Sequence, residues 1–147
     1  MATLQDIELL VKRFSNEYRH PDLPPIIQSG IYSLNSSSKT TIRSDLYWPE
    51  TWPNCESRGV YAIFSNEVLL YVGKASMQNL GNRLSNYFIY SQDKLSGIPK
   101  REHKWSSQPT HLVTWAVPDD YFFEPSALEE FIIFNLKKQL PDNILGT

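Results

Sequence analysis

The chain has 147 residues, 41% of them hydrophobic, and its 14 Lys and Arg against 16 Asp and Glu give a formal net charge of −2. A chain of this length and composition can bury one hydrophobic core, so we expect a single domain over residues 1–147. The net charge argues against nucleic-acid binding by the whole surface and leaves only a local basic patch for that role.

The cysteine content and the hydropathy exclude two further classes of protein. Cys55 is the only cysteine, which excludes an internal disulfide framework and a cysteine-based zinc site and favours a reducing compartment. No apolar run approaches the roughly 20 residues that cross a bilayer, and the first residues lack the apolar middle of a signal peptide. We therefore expect a cytoplasmic protein without a membrane partner.

The N-terminal segment, residues 1–58, is predicted to be a helical and irregular extension packed on the rest of the chain. Thr3 and Asp6 fit a helix start, and apolar residues follow at helical spacing, which predicts an amphipathic helix over about residues 4–18. From Pro21 to Asn54 the chain has five prolines and the polar run NSSSKTT. This composition predicts an irregular arm with one strand near residues 31–34.

A β-hairpin is predicted over residues 60–72, where VYAIF and VLLYV are separated by SNE. If all three separating residues form the loop, Phe64 pairs with Val68 and Tyr61 lies opposite Tyr71, on one face of the sheet. A two-residue loop would instead place the two tyrosines on opposite faces, because a shift of one residue inverts the pattern.

Three further elements are predicted after the hairpin. The apolar residues Leu80, Leu84 and Phe88 recur at helical spacing and predict a helix. Residues 110–117 alternate and predict a third strand, and Ser126 is expected to open a last helix that ends near Leu140, before Pro141. The order predicts an α/β fold with a small, mainly antiparallel three-stranded sheet flanked by helices.

An ordered set of residues within 59–143 resembles the GIY-YIG endonuclease domain. Gly59-Val60-Tyr61 is followed by Tyr71-Val72-Gly73 and Lys74, then by LGNRL with Arg83, and then by ALEEFII with Glu129. The order of the whole set carries the resemblance, since a single GVY triplet has little meaning. It implies a GIY-YIG-like catalytic core over residues 59–143.

The resemblance implies a role for each of five catalytic residues. Arg83 would bind the scissile phosphate, because its planar, permanently charged fork matches phosphate oxygens. Tyr61 would orient the water or accept its proton, with Tyr71 supporting it and Lys74 lowering the cost of a nearby phenolate. Glu129 would be the single protein ligand of Mg²⁺, for which Mn²⁺ can substitute, with water and phosphate oxygens completing the shell.

Each of these residues also has a purely structural interpretation. Paired strand tyrosines commonly serve packing, and a lone Arg83 or Lys74 would be a surface charge. Glu129 also fits an S-x-x-E capping box with Ser126. Its helical position nevertheless places it at the edge of the inward face, whereas Glu130 points away, so we rank Glu129 first.

Candidate substrate contacts come from the resemblance and from local composition. Gly73 would let a phosphate backbone approach closely. Tyr87 stands where many members of the family have histidine, and Asn143 lies near the position of the family's C-terminal asparagine. A basic cluster lies in KLSGIPKREHKW, Lys94 to Trp105, and includes His103. It could track phosphates through Lys100, Arg101 and Lys104 while Trp105 stacks on a base, or it could be a solvated loop. The three histidines show no metal-ligand spacing and are expected to be structural or surface residues.

The sequence therefore predicts a Mg²⁺-dependent endonuclease that cleaves DNA, with RNA left open as a substrate. The alternative is a catalytically inactive nucleic-acid- or protein-binding module on the same fold, as the acidic balance and Tyr87 suggest. A structural interaction protein without nucleic-acid affinity is the third possibility.

Overall fold

A computed structural model describes residues 1–35 and 44–143 and shows a mixed α/β fold. Its helices are α1 (Leu4–Glu17), α2 (Leu80–Leu84) and α3 (Glu124–Leu136), and a 3₁₀ turn follows at Lys137–Gln139. Its strands are β1 (Ile27–Gln28), β2 (Tyr32–Ser33), β3 (Leu46–Tyr47), β4 (Gly59–Ser65), β5 (Val68–Ala75), β6 (Phe88–Tyr90), β7 (Gly97–Pro99) and β8 (His111–Ala116). No helix within these described ranges is long and apolar enough to cross a membrane.

The main sheet has six strands in the described part of the chain, in the order β3-β2-β8-β4-β5, with β1 also paired to β8. It is antiparallel except for the β2–β3 pair, so the prediction of a mainly antiparallel sheet is confirmed. The prediction of three strands is wrong, because the N-terminal segment supplies β1, β2 and β3 to the sheet. The predicted irregular arm includes residues 36–43, which lie outside the described residues.

Helix α1 begins as the sequence predicts. The Thr3 hydroxyl accepts from the Asp6 backbone N–H at 3.4 Å, and the Asp6 carboxylate accepts from the Thr3 N–H at 2.8 Å. This reciprocal capping satisfies two backbone donors that a helix start otherwise leaves unpaired. The apolar face of α1 is buried against one side of the sheet.

The hairpin has a different register from the one expected. Ser65 pairs with Val68, so the loop contains two residues, and Asn66 adopts a positive φ of 52° there. The register then shifts between Ile63 and Phe64, because a β-bulge inserts an extra residue into β5. Ile63 therefore lies opposite Tyr71, and Tyr61 lies opposite Gly73.

Two helix predictions need correction at their ends. Helix α2 ends at Leu84, because the next residues turn into strand β6, where Phe88 pairs with Pro99. Helix α3 starts at Glu124, ahead of Ser126, because a proline is tolerated in the first turn of a helix. It ends at Leu136, before the 3₁₀ turn, rather than near Leu140.

Both faces of the central strands are buried, which places the sheet between two apolar layers. Even-numbered residues of β4 pack with α1 and α3, whereas Tyr61 and Ile63 pack with α2 and with Trp48. Strand β5 forms one edge of the sheet, and its side chains pack in both apolar layers.

Candidate active site

The candidate site is an open cavity of about 470 Å³ beside edge strand β5. Strand β5 contributes Tyr71 and Lys74, α2 contributes Arg83, and α3 contributes Glu129. We name this space the Glu129 cavity. Four of the five predicted catalytic residues, which are spread over 59 positions of sequence (71 to 129), therefore line one space.

The polar end of this cavity is formed by β5 and α3. The Lys74 ammonium donates to the Ser126 hydroxyl at 2.9 Å, which joins the edge strand to the first turns of the helix. Ser126 does not form the predicted capping box with Glu129, because α3 has no side-chain cap hydrogen bond. The Glu129 carboxylate is thus not occupied in capping its own helix.

Glu129 differs from the other two acidic residues of α3, Glu124 and Glu130. Burial raises the pKa of the Glu129 carboxyl above its ordinary value, and the charges of Lys74 and Arg83 offset part of that increase. Glu130 is exposed, and Glu124 is buried in an ion pair with Arg19 at 2.9 Å. Glu129 is therefore a half-buried carboxylate facing positive charge beside an open cavity.

Tyr61 is fully buried and lies behind the cavity. Its hydroxyl donates to the Tyr87 hydroxyl at 2.7 Å, and its ring covers Gly73 on the opposite strand. A Cβ atom at residue 73 would overlap the phenol of Tyr61. Gly73 therefore makes room for Tyr61, whereas the sequence predicted that it would make room for substrate.

Tyr87 is the centre of a polar aromatic network. Its hydroxyl accepts from Arg83 Nη2 at 3.2 Å and donates to the Tyr71 hydroxyl at 3.5 Å. Burial, together with the neighbouring phenols, raises the pKa of Tyr61 and of Tyr71 well above the ordinary tyrosine value. The network thus places the Arg83 guanidinium against the Tyr87 hydroxyl, and burial makes Tyr61 and Tyr71 harder to deprotonate.

A second cavity of about 540 Å³ adjoins the first and shares Tyr71 and Arg83 with it. Its other lining residues are Tyr87, Glu102, His103, Lys104, Trp105 and Asp142. Lys104 of the basic cluster is therefore near the site. Lys100 and Arg101 are not part of either lining, and Arg101 is exposed.

Asn143 makes structural contacts to the edge strand. Its side-chain oxygen accepts from the Val72 N–H at 2.9 Å, and its side-chain nitrogen donates to the Val72 carbonyl at 2.8 Å. The amide thus pairs with β5 as a neighbouring strand would. It does not line the two cavities that contain Arg83.

Sequence reasoning missed two residues near the site. Ser126 was expected only to open the last helix or cap it, and His103 was expected to belong to the basic cluster without a specific role at the site. The His103 ring lies 4.6 Å from the Tyr87 ring and lines the second cavity. His103 belongs to the basic cluster, which was the available signal, but the β6–β7 hairpin that returns this segment to Tyr87 was not among the predicted elements.

A Mg²⁺ ion at this cavity would have one candidate carboxylate ligand, Glu129. Within residues 1–35 and 44–143 no group of three or more His, Cys, Asp or Glu side chains could hold a metal ion. Glu129 supplies one hard oxygen ligand beside a cavity with a polar lining. Mg²⁺ keeps several waters and often uses only one or two carboxylates together with substrate phosphate, so a single glutamate is compatible with it.

Comparison of the chain with models of protein families, with curated proteins and with solved structures gave no match. The resemblance to the GIY-YIG domain therefore remains a prediction that depends on the ordered residues and their geometry.

Proposed function

We propose that this protein is a metal-dependent endonuclease with a GIY-YIG-type site that hydrolyses DNA phosphodiester bonds. The observation that carries the proposal is the convergence of Arg83, Lys74, Tyr71 and Glu129 on one cavity. Hydrolysis of a phosphodiester needs positive charge to offset the anionic transition state, and two cations and a metal-binding carboxylate at one place can supply it.

Arg83 and Lys74 bind the phosphate in this proposal. Their positive charges offset the negative charge that develops on the phosphoryl oxygens in the transition state. Arg83 is held by Tyr87 at 3.2 Å and Lys74 by Ser126 at 2.9 Å. Because both groups are positioned before substrate arrives, little reorganisation is needed during the reaction.

Glu129 holds the divalent cation in this proposal. When bound, the ion supplies Lewis-acid stabilisation of the phosphate and lowers the pKa of a bound water. The raised pKa of Glu129 is consistent with a carboxylate whose charge lacks full compensation in the free protein.

The tyrosines have the least support as general bases. Tyr71 lines the cavity, whereas Tyr61 is fully buried behind it and reaches the site through Tyr87. Since burial raises the pKa of both phenols, neither forms the phenolate that could act as a base in the free protein. In the proposed reaction Tyr71 orients the attacking water, and Tyr61 becomes a base only where bound positive charge lowers its pKa.

The same burial favours the second candidate, a non-catalytic nucleic-acid-binding module. Such a module would use Arg83 and Lys74 to bind phosphate without needing a base. It predicts binding that does not require metal and that Glu129→Gln strengthens by removing a negative charge.

A cleavage assay separates these functions. Supercoiled plasmid and branched DNA are incubated with Mg²⁺, Mn²⁺ or EDTA, and wild type is compared with Arg83→Ala, Glu129→Gln and Tyr61→Phe. The nuclease predicts metal-dependent cutting that falls by about 10²- to 10³-fold in the first two variants. Tyr61→Phe tests the base assignment separately.

Matched controls are Arg13→Ala and Glu130→Gln, which remove the same charges from exposed positions outside both linings. Circular dichroism checks that each variant is folded. Binding without cutting under every metal condition would contradict the nuclease and favour the binding module.

A further inference from the structure

The second cavity has the composition of a nucleobase pocket. We name it the Trp105 cavity; its volume of about 540 Å³ lies within the roughly 300–1,000 Å³ typical of ligand sites. Trp105 is half-buried and meets the Tyr71 ring edge-on at 5.9 Å, and the His103 ring lies 6.2 Å from it. Aromatic surfaces of this kind stack on bases in proteins that bind single strands.

The charges of the lining distinguish a base from a second phosphate. Arg83 and Lys104 give the lining of the Trp105 cavity two positive charges, and Glu102 and Asp142 give it two negative charges. The cavity therefore has no excess of positive charge for a second phosphate. Asp142 accepts from the Ser106 N–H at 3.0 Å and from the Ser106 hydroxyl at 2.9 Å, yet each oxygen keeps a free lone pair. Carboxylates can accept hydrogen bonds from the exocyclic amino group of a base.

Tyr71 and Arg83 are common to the linings of the two cavities. A phosphate held by Arg83 would therefore lie close to both cavities. A base inside a duplex is stacked and paired, so its faces and its pairing edge are not available to such a pocket. Only an unpaired nucleotide next to the bound phosphate could enter it.

We propose that the Trp105 cavity binds an unpaired nucleobase beside the phosphate at Arg83, so that the substrate is single-stranded at the cleaved position. This inference rests on the proposed function for its reference to cleavage. The carboxylates of the cavity select bases with an amino group, and cytosine is therefore preferred to thymine.

Binding in EDTA tests the inference without any cleavage. Fluorescence anisotropy compares labelled oligo(dC), oligo(dT), a duplex of equal length, and an abasic strand that keeps the phosphates. We expect oligo(dC) to bind with the highest affinity of the four. The abasic strand should bind about tenfold more weakly than oligo(dC), since the stacking of one base contributes on that scale. Charge alone would favour the duplex, which carries more phosphates.

Variants locate the effect. Trp105→Leu should weaken oligo(dC) binding about tenfold, whereas Phe122→Leu, at an aromatic residue that is 53% exposed and lies outside both linings, should not. Glu102→Gln should reduce the preference for oligo(dC) over oligo(dT), and Glu130→Gln should leave it unchanged.

The inference is overturned if the duplex binds as tightly as oligo(dC), if removing the bases changes nothing, or if folded Trp105→Leu binds like wild type. Glu102→Gln and the abasic strand keep the test valid where Trp105→Leu does not fold. These results are independent of the plasmid assay: base-dependent binding without metal-dependent cutting would retain the pocket and reject the nuclease.

Discussion

The ring of Tyr61 covers Gly73 directly across the β4–β5 pair. An added Cβ at residue 73 would lie 2.9 Å from Tyr61 Cε2 and closer still to the phenol oxygen. Because Tyr61 is fully buried and donates to Tyr87, its ring has no free space into which to move. The triplets Gly59-Val60-Tyr61 and Tyr71-Val72-Gly73 therefore pack against each other, and Gly73 of β5 accommodates the ring of Tyr61 of β4.

Gly73→Ala is expected to destabilise the protein by about 1–3 kcal/mol, the usual cost of overpacking a filled core. The free energy of unfolding from urea denaturation measures this cost. In a Tyr61→Leu background the ring atoms are absent, so the same Gly73→Ala change should cost less. Equal costs in the two backgrounds would show that the contact with Tyr61 is not the reason for the glycine.

The pairing of Tyr61 shows where prediction from sequence fails. The shared face of Tyr61 and Tyr71 was expected from a three-residue loop, but the loop has two residues and a β-bulge restores the shared face. Leu70, the extra residue of the bulge, accepts through its carbonyl oxygen from the Asp142 N–H, which belongs to a distant part of the chain. Such non-local pairing leaves no periodic signal in the hairpin sequence.

Local patterns were more informative for the helices. The Thr3–Asp6 capping box is confirmed, because it depends on residues three apart. The half-buried position of Glu129 and the exposure of Glu130 agree with the helical period. The predicted strand near residues 31–34 is confirmed as β2, at Tyr32–Ser33. The other two strands of the N-terminal segment were not predicted, because they form only by pairing with distant parts of the chain.

Glu129→Gln is expected to raise the melting temperature at pH 7. Because the pKa of Glu129 is raised in the folded protein, folding favours its protonated form. Stability is therefore lost as pH increases from the unfolded-state pKa, about 4.3 for glutamate, through the higher folded-state value. Glutamine never ionises, so the advantage of the variant should be present at pH 7 and should disappear below about pH 4.

Thermal melts across this pH range, with Glu130→Gln as the exposed control, measure the difference. Mg²⁺ should raise the melting temperature of wild type and not that of Glu129→Gln, since ligand binding stabilises only the state that binds. A melting-temperature gain that persists at low pH would assign the effect to packing rather than to ionisation.

Removing one partner of the buried ion pair between Arg19 and Glu124 is expected to destabilise the folded protein strongly. Arg19 Nε donates to both carboxylate oxygens, at 3.1 and 3.0 Å, and the two side chains are only 6% and 7% exposed. Glu124→Gln leaves a buried guanidinium without its counter-charge, which typically costs about 3–5 kcal/mol. Urea denaturation measures the change.

Two controls test the cause. Replacing both partners, as Arg19→Met with Glu124→Leu, should recover much of the stability, because the unpaired charge is gone. The exposed pair of Arg13 and Glu17, at 3.7 Å with side chains 51% and 50% exposed, should lose no more than about 0.5 kcal/mol in Glu17→Gln. Similar losses at both pairs would contradict a role for burial.

Asn143→Ala is expected to lower stability without weakening DNA binding by the folded protein. The side-chain amide is buried and forms two hydrogen bonds with the Val72 backbone. Its removal leaves the Val72 N–H and C=O without these partners, for which we expect a cost of about 1–3 kcal/mol. Asn143→Asp keeps the acceptor for the N–H but not the donor to the C=O, so it should also destabilise. Urea denaturation and anisotropy on the same samples separate the two effects: a tenfold loss of affinity at unchanged stability would instead place Asn143 in contact with substrate.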